Sequence, residues 1–246
     1  MTTKVAVIGA AGRMGSTACD AVEGADDLEL VGRYDDGDDL GDLGGADVAI
    51  DFTVLAASEG NVRHCVARGV HVVVGTSGWT DAKAGELRSD VEAKGGVGVL
   101  IAPNFAIGAV LMMQFAKQAA RFYESVEVIE LHHPRKVDAP SGTATRTAEM
   151  IGAAREEAGL GAVPDATTQD PDGARGAQVE GVPVHAVRLR GLVAHQEVLL
   201  GNEGEMLTLR HDSFDRVSFM PGVLAGVRAV GKHPGVTVGL ENVLGL

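Results

Sequence analysis

The stretch KVAVIGAAGRMGSTACDAV, residues 4–22, decides the fold. Residues 4–10 are a β-branched apolar run of the kind that fills a parallel strand buried on both faces. Gly9, Gly12 and Gly15 then recur at intervals of three, and a helical pattern follows to Val22. Strand, glycine-rich turn and helix in direct succession are the context that a dinucleotide-binding fingerprint requires. Gly9 and Gly12 would let the main chain approach a pyrophosphate, and Gly15 would let the helix lie close to the strand. The spacing is GxxGxxG rather than GxGxxG, so its place after a clean strand carries more weight than the pattern itself. The plainer alternative is a tight strand-to-helix turn that holds no ligand.

Working outward, residues 28–34 read as the next strand and end at Asp35, about 20 residues beyond Gly15, where a carboxylate would accept the adenosine ribose hydroxyls. Asp35 belongs to an acidic run with Asp36, Asp38 and Asp39, so a solvated loop is the competing reading. A carboxylate there repels a 2′-phosphate and favours NADH; Arg13 and Arg33 are near enough in sequence to soften that, and NADPH stands beside it. Residues 47–53, 71–76 and 97–101 read as three more parallel strands, with helices over 56–68 and 81–94 between them. Alternation of this kind predicts an α/β fold, a doubly wound Rossmann-type parallel sheet with ligands at the carboxyl ends of its strands. Those ends carry Phe52-Thr53, Gly75-Thr76-Ser77 and Ala102-Pro103-Asn104-Phe105.

Beyond Phe105 the pattern changes. Residues 107–122 form an amphipathic helix, 126–132 a strand and 142–158 a second helix. Residues 159–181, rich in Gly, Pro, Asp and Thr without hydrophobic period, read as a mobile loop. Strands follow over 183–190 and 197–200, the latter joined through the turn 201–204 to a strand over 206–210. Long strands in hairpin arrangement, without crossover helices, predict a C-terminal α/β domain with an open mixed sheet. A last helix, 221–232, returns to the first domain. The expected boundaries are 1–105 with 217–246 for the dinucleotide domain, and 106–216 for a domain that binds substrate and associates through its sheet.

The chemistry concentrates in ELHHPRKVDAPSGTA, residues 130–144. His132 and His133 can donate protons near neutral pH, and Lys136 supplies a positive charge. Ser141, Gly142 and Thr143 read as a helix start, Ser141 as its cap, whose free N–H groups could hold an anion. Successive strand residues face opposite ways, so both histidines reach one ligand only if the strand stops there; Pro134 agrees with a stop. A capped surface connection is the bland alternative for any one of these residues. Asp138 reads as a loop-fixing residue.

A net charge of −13 argues against nucleic acid and against an anionic membrane as partners. No apolar run reaches the length of a membrane span. Two cysteines without ligand spacing, Cys19 and Cys65, read as buried thiols, no metal site is expected, and a cytoplasmic location is.

The motif HHPRKVDAPSGTA, with GAAGRMG, GTSGW at 75–79, APNFAIG at 102–108 and HAVRLRGLVAHQEVLLG at 185–201, resembles the 4-hydroxy-tetrahydrodipicolinate reductase (dihydrodipicolinate reductase) family along the whole chain, in its actinobacterial branch. The resemblance implies NADH- or NADPH-dependent reduction of a cyclic imine dicarboxylate, with loss of water, in diaminopimelate and lysine biosynthesis. It also implies a homotetramer assembled through the C-terminal sheet. It assigns proton donation and the second catalytic role to His132 and Lys136, without dividing the labour between them. His133, Gly142 and Thr143, with Ser141 beside them, would hold the substrate carboxylates. Gly9, Ala10, Ala11, Gly12, Arg13, Met14, Asp35, Gly75, Thr76, Ser77, Ala102, Pro103, Asn104 and Phe105 would contact the cofactor. Asp35-Asp36 departs from members with an acidic residue followed by Arg, which weakens a strong NADPH preference. Two other readings compete. An oxidoreductase for another amino-acid aldehyde lacks a cysteine in a nucleophile context here, and a dinucleotide-sensing regulator lacks a basic helix or tail.

Overall fold

The computed structural model describes residues 2–246, apart from the side chain of Asp81. The chain forms two compact units, Met1–Ile107 with Arg216–Leu246, and Gly108–Asp215.

The first unit is built on a six-stranded parallel sheet. Its strands are β1 (Thr3–Ile8), β2 (Leu28–Tyr34), β3 (Val48–Asp51), β4 (His71–Val74), β5 (Gly98–Ile101) and β11 (Gly235–Val238), in the order β11-β5-β4-β3-β1-β2. Helices α1 (Arg13–Glu23), α2 (Leu55–Arg68), α3 (Asp81–Lys94) and α6 (Met220–Val230) flank it, and a short α7 (Glu241–Leu244) closes the chain. The central strands are buried along their length, as their unbroken Val/Ile/Ala content requires of a sheet covered on both faces. The order of strands reverses between β1 and β3, which opens the crevice where doubly wound sheets take ligands. Strand β11 was not expected from the sequence, because GVTV has no continuous apolar run of the kind that marks β3 to β5. Both cysteines lie buried on helices, Cys19 in α1 and Cys65 in α2, and burial pushes the Cys65 thiol up to about 12.

The second unit has a five-stranded mixed sheet: β6 (Ser125–His132), β7 (Ala177–Val179), β8 (Val182–Arg188), β9 (Ala194–Asn202) and β10 (Glu205–Ser213), in the order β10-β9-β6-β8-β7. One face packs on α4 (Ile107–Ala119) and α5 (Gly142–Glu157) through Ala116, Val126, Val128, Ala148, Ile151, Val198 and Leu200. The burial of β6 alternates strictly over Val126, Val128 and Glu130, as period two demands.

Two expectations for this unit are corrected. The sheet does contain a crossover, since β6 pairs parallel with β8 and α5 lies between them in the chain. The hairpin is also longer than its hydrophobic positions suggested. The ladder runs on through Gly201 and Asn202, and the loop is the two residues Glu203-Gly204, with Gly204 at φ +80°. The segment 159–181 is largely irregular, but its end is not loose. It contributes β7, and Arg175 binds Glu127 of β6 and Asp165, while Asp170 accepts the N–H groups of Ala174 and Arg175.

Candidate active site

In the first unit, the turn after β1 is shaped by close approach. Gly9 has φ +84°, and a Cβ there would lie 2.5 Å from the Phe52 carbonyl oxygen. A Cβ on Gly15 would strike the Gly9 carbonyl, so α1 rests directly on the turn. Gly12 caps α1 without a side-chain hydrogen bond, so the first-turn N–H groups remain available to an anion. Asp35 stands at the end of β2 and accepts the Ala11 N–H at 2.5 Å, tying the acidic loop to the glycine turn. A cleft of about 460 Å³ is lined by Gly9, Gly12, Asp35, Asp36, Asp38 and Thr53, among others. Arg33 points elsewhere and pairs with Glu23 at 2.6 Å; Arg13 is exposed, with no polar side-chain partner among the described residues.

The ends of β3 and β4 are joined by Asp51, which carries no motif in the sequence. The Asp51 carboxylate, fully buried, accepts the Thr53 N–H at 2.9 Å, the Thr53 hydroxyl at 2.7 Å and the Thr76 hydroxyl at 2.8 Å. Thr76 is therefore a framework residue whose hydroxyl is already engaged, while Ser77 is exposed. A Cβ on Gly75 would strike the Phe52 ring, which meets Phe105 edge to face at 6.0 Å. Ala102 and Phe105 are buried; Pro103 is exposed, and Asn104 accepts the Ala106 N–H at 2.8 Å.

In the second unit, β6 ends at His132, so His133 is free of the strand's alternation. The His133 carbonyl accepts the Lys136 N–H in the turn that follows, and its Nδ1 is buried without a hydrogen-bond partner. His132 donates from Nδ1 to Glu130 at 2.5 Å. The Arg188 guanidinium, brought beside His132 by the β6–β8 register, grips the same carboxylate at 2.7 and 2.8 Å. Glu130 also accepts the N–H of Ser141, whose hydroxyl caps α5 by accepting the Ala144 N–H at 3.2 Å. Gly142 is exposed on the first turn, and the Thr143 carbonyl accepts the Thr147 hydroxyl. His132 and the α5 start thus meet at the Glu130 carboxylate, while Lys136 is held by a second one, Asp138.

Charge balances locally. Burial alone would raise the Glu130 carboxyl, but the hydrogen bonds from Arg188 and His132 hold it below the usual carboxylate range. Burial carries the His132 imidazole below its ordinary value, opposed by Glu130 and reinforced by Lys136 and Arg188. The Lys136 ammonium binds Asp138 at 2.8 Å, and this bond with the Gly142 N–H overcomes burial to keep Asp138 ionised. Removing Arg188 would leave the fully buried Glu130 carboxylate short of its chief counter-charge.

Glu130 was legible only as a carboxylate at an inward position of VEVIELH. Arg188 left no local signal, because it meets Glu130 across 58 positions of chain.

A parallel sheet with a glycine-lined crevice at its switch point, and a second unit carrying histidine and lysine beside the start of a helix, define the class of two-unit oxidoreductases. Residues 3–105 match the family model described as dihydrodipicolinate reductase, N-terminus, and residues 108–244 match dihydrodipicolinate reductase, C-terminus. The chain is 62% identical to 4-hydroxy-tetrahydrodipicolinate reductase of Cutibacterium acnes over 99% of both chains, and 60% identical to that of Nocardia farcinica over 100% of both. Dipicolinate-bound dihydrodipicolinate reductase from Paenisporosarcina sp. TG-14 is 38% identical, with a TM-score of 0.85 over 98% of this chain and 99% of that one. GenD2 from gentamicin A biosynthesis, in complex with NAD, shares the fold at 15% identity, with a TM-score of 0.63 over 99% of this chain and 90% of that one. The chain belongs to the dihydrodipicolinate reductase family.

Proposed function

We propose that, in the reduction of 4-hydroxy-tetrahydrodipicolinate to tetrahydrodipicolinate with loss of water, the first unit holds NADH or NADPH and the second holds the dicarboxylate. The observation that carries this reading is the folding of residues 130–144, in which Glu130 holds an imidazole and a helix start while Asp138 holds the Lys136 ammonium and the Gly142 N–H. The residues present suit a dinucleotide. Gly9 and Gly15 let the turn and α1 close on one another without a side chain between them, the α1 start has no side-chain cap, and Asp35 offers a carboxylate at the ribose position. Bound, the cofactor supplies the hydride.

His132 and Lys136 then meet the charge that hydride addition leaves on the imine, one by giving a proton and the other by electrostatic stabilisation. Gly142 and Thr143 at the α5 start, with His133, hold the carboxylates, and Ser141 keeps that start in place. The orphaned His133 Nδ1 favours a polar ligand at that position. Gly9 to Met14, Gly75 to Ser77 and Ala102 to Phe105 take the cofactor's phosphates and nicotinamide end. Because Asp35, Asp36 and Asp38 share the cleft and Arg33 is committed to Glu23, we infer a preference for NADH.

The test is NADH consumption with freshly generated substrate. His132→Gln and Lys136→Met should each lower turnover by about a hundredfold or more, with the NADH Kd unchanged in a fluorescence titration. Full turnover in either variant would remove that residue from its role.

No described helix is long and apolar enough to cross a membrane. We infer a cytoplasmic enzyme. We also infer a homotetramer assembled through the open face of the second sheet, where Met206, Val187 and Phe214 stand exposed. A sedimentation mass of one chain at micromolar concentration would overturn that assembly.

A further inference from the structure

We propose that Glu130 is the positioning residue of the second unit: one buried carboxylate fixes the tautomer and aim of His132 and seats the α5 start that carries Gly142 and Thr143. The inference rests on the reading of His132 as a proton donor. Glu130 has no exposed surface and occupies the inward face of β6 beside Val126 and Val128, where an aliphatic side chain would be the ordinary choice. Each of its oxygens takes two donors. Oε2 accepts from His132 Nδ1 at 2.5 Å and Arg188 at 2.7 Å; Oε1 accepts from Arg188 at 2.8 Å and the Ser141 N–H at 3.1 Å. The donors come from its own strand, from β8 and from the α5 cap. Arg188 extends the clasp to the Asp138 carbonyl at 2.7 Å, so the chain from His132 to Ser141 closes around this carboxylate. Apolar replacement of a buried ion pair is often neutral or stabilising, so stability alone does not call for charge here.

The hydrogen bond sets the direction of proton flow. With Nδ1–H committed to Glu130, a neutral His132 presents only a lone pair at Nε2 and can accept but not donate. Donation requires the imidazolium. Its Nε2 proton passes to the reduced substrate, leaving a neutral ring with Nδ1–H still on Glu130, and water restores the proton. The charged groups acting on His132 are Glu130 from β6, Arg188 from β8 and Lys136, paired with Asp138, from the following turn. Glu130 is the one among them that favours the imidazolium. Proton delivery is thus present below the His132 pKa and lost as pH rises through it.

The test is the ring titration of His132 followed by NMR in the free protein, assigned with His132→Gln. In Glu130→Gln, which keeps an acceptor and removes the charge, the titration should fall by about one pH unit or more. The basic limb of kcat/KM should move down with it, and the NADH Kd should stay fixed. Arg188→Gln gives the opposite arm, a titration and limb moved to higher pH, and covers the case in which Glu130→Gln does not fold. A His132 titration unmoved in a folded Glu130→Gln, or unmoved in Arg188→Gln where that protein alone folds, would overturn the proposal. The titration needs no substrate. Absence of wild-type turnover would therefore defeat the functional reading and leave this result standing.

Discussion

Asp138 places its carboxylate against both the Lys136 ammonium and the N–H of Gly142, so the groups expected to hold a ligand's carboxylate already hold one belonging to the chain. Binding a dicarboxylate is then an exchange of one anion for another, and its affinity is a difference between two similar interactions. Asp138 is half exposed, so its grip is modest in water. Asp138→Asn should tighten binding of pyridine-2,6-dicarboxylate by roughly threefold to tenfold, measured by calorimetry. An unchanged or weaker Kd would mean that Asp138 steadies Lys136 rather than competing for it. At this scale the sequence displayed the chemistry well: the residue types of 130–144 are those that meet in the structure, and Pro134 marked where the strand stops. It could not display which acceptor each donor takes. His132 and Arg188 compete for one carboxylate, and only strand register brings Arg188 there. Asp51 escaped for the same reason, since its partners Thr53 and Thr76 converge from two different strand ends.

Helices and strands with several turns or a clear alternation were readable to within a few residues, β2 and α3 to the residue. The misread pieces are those whose signal is tertiary. Strands β7 (AQV) and β11 (GVTV) lack the unbroken apolar run that marks β3, β4 and β5, and the crossover between β6 and β8 depends on a parallel pairing that no local pattern encodes. The end of the segment 159–181 is held by Arg175, bonded at 2.5 Å to Glu127 and at 3.0 Å to Asp165, with His185 sharing the Glu127 carboxylate. Trypsin must draw that side chain into its own acidic pocket before it can cut. Cleavage after Arg175 should therefore be slow in the native protein and faster by roughly tenfold in Glu127→Gln, which weakens the clasp. A mass-spectrometric time course checks this. Equal rates would show that the segment opens whether or not the ion pair is made.

At the level of the whole molecule, the first unit is discontinuous: β1 to β5 come from residues 3–101, whereas α6 and β11 come from after residue 219. Helix α6 lies directly on the sheet, since a Cβ on Gly226 would meet Leu100 at 2.9 Å and Val73 at 3.5 Å. The second unit is a single uninterrupted segment, Gly108–Asp215. The two therefore have different birthdays on the ribosome. The segment that begins later is complete first, while the older sheet waits, one face only partly covered by α1 and the β5 edge unpaired, for residues 216–246 to emerge. A chain released after Asp215 should protect the amides of β6, β8 and β9 from hydrogen exchange while those of β4 and β5 exchange freely. Early protection of β4 and β5 in that chain would reverse the order. The sequence thus carries a timetable as well as a fold: the second unit is finished while the sheet of the first still lacks its last helix and strand.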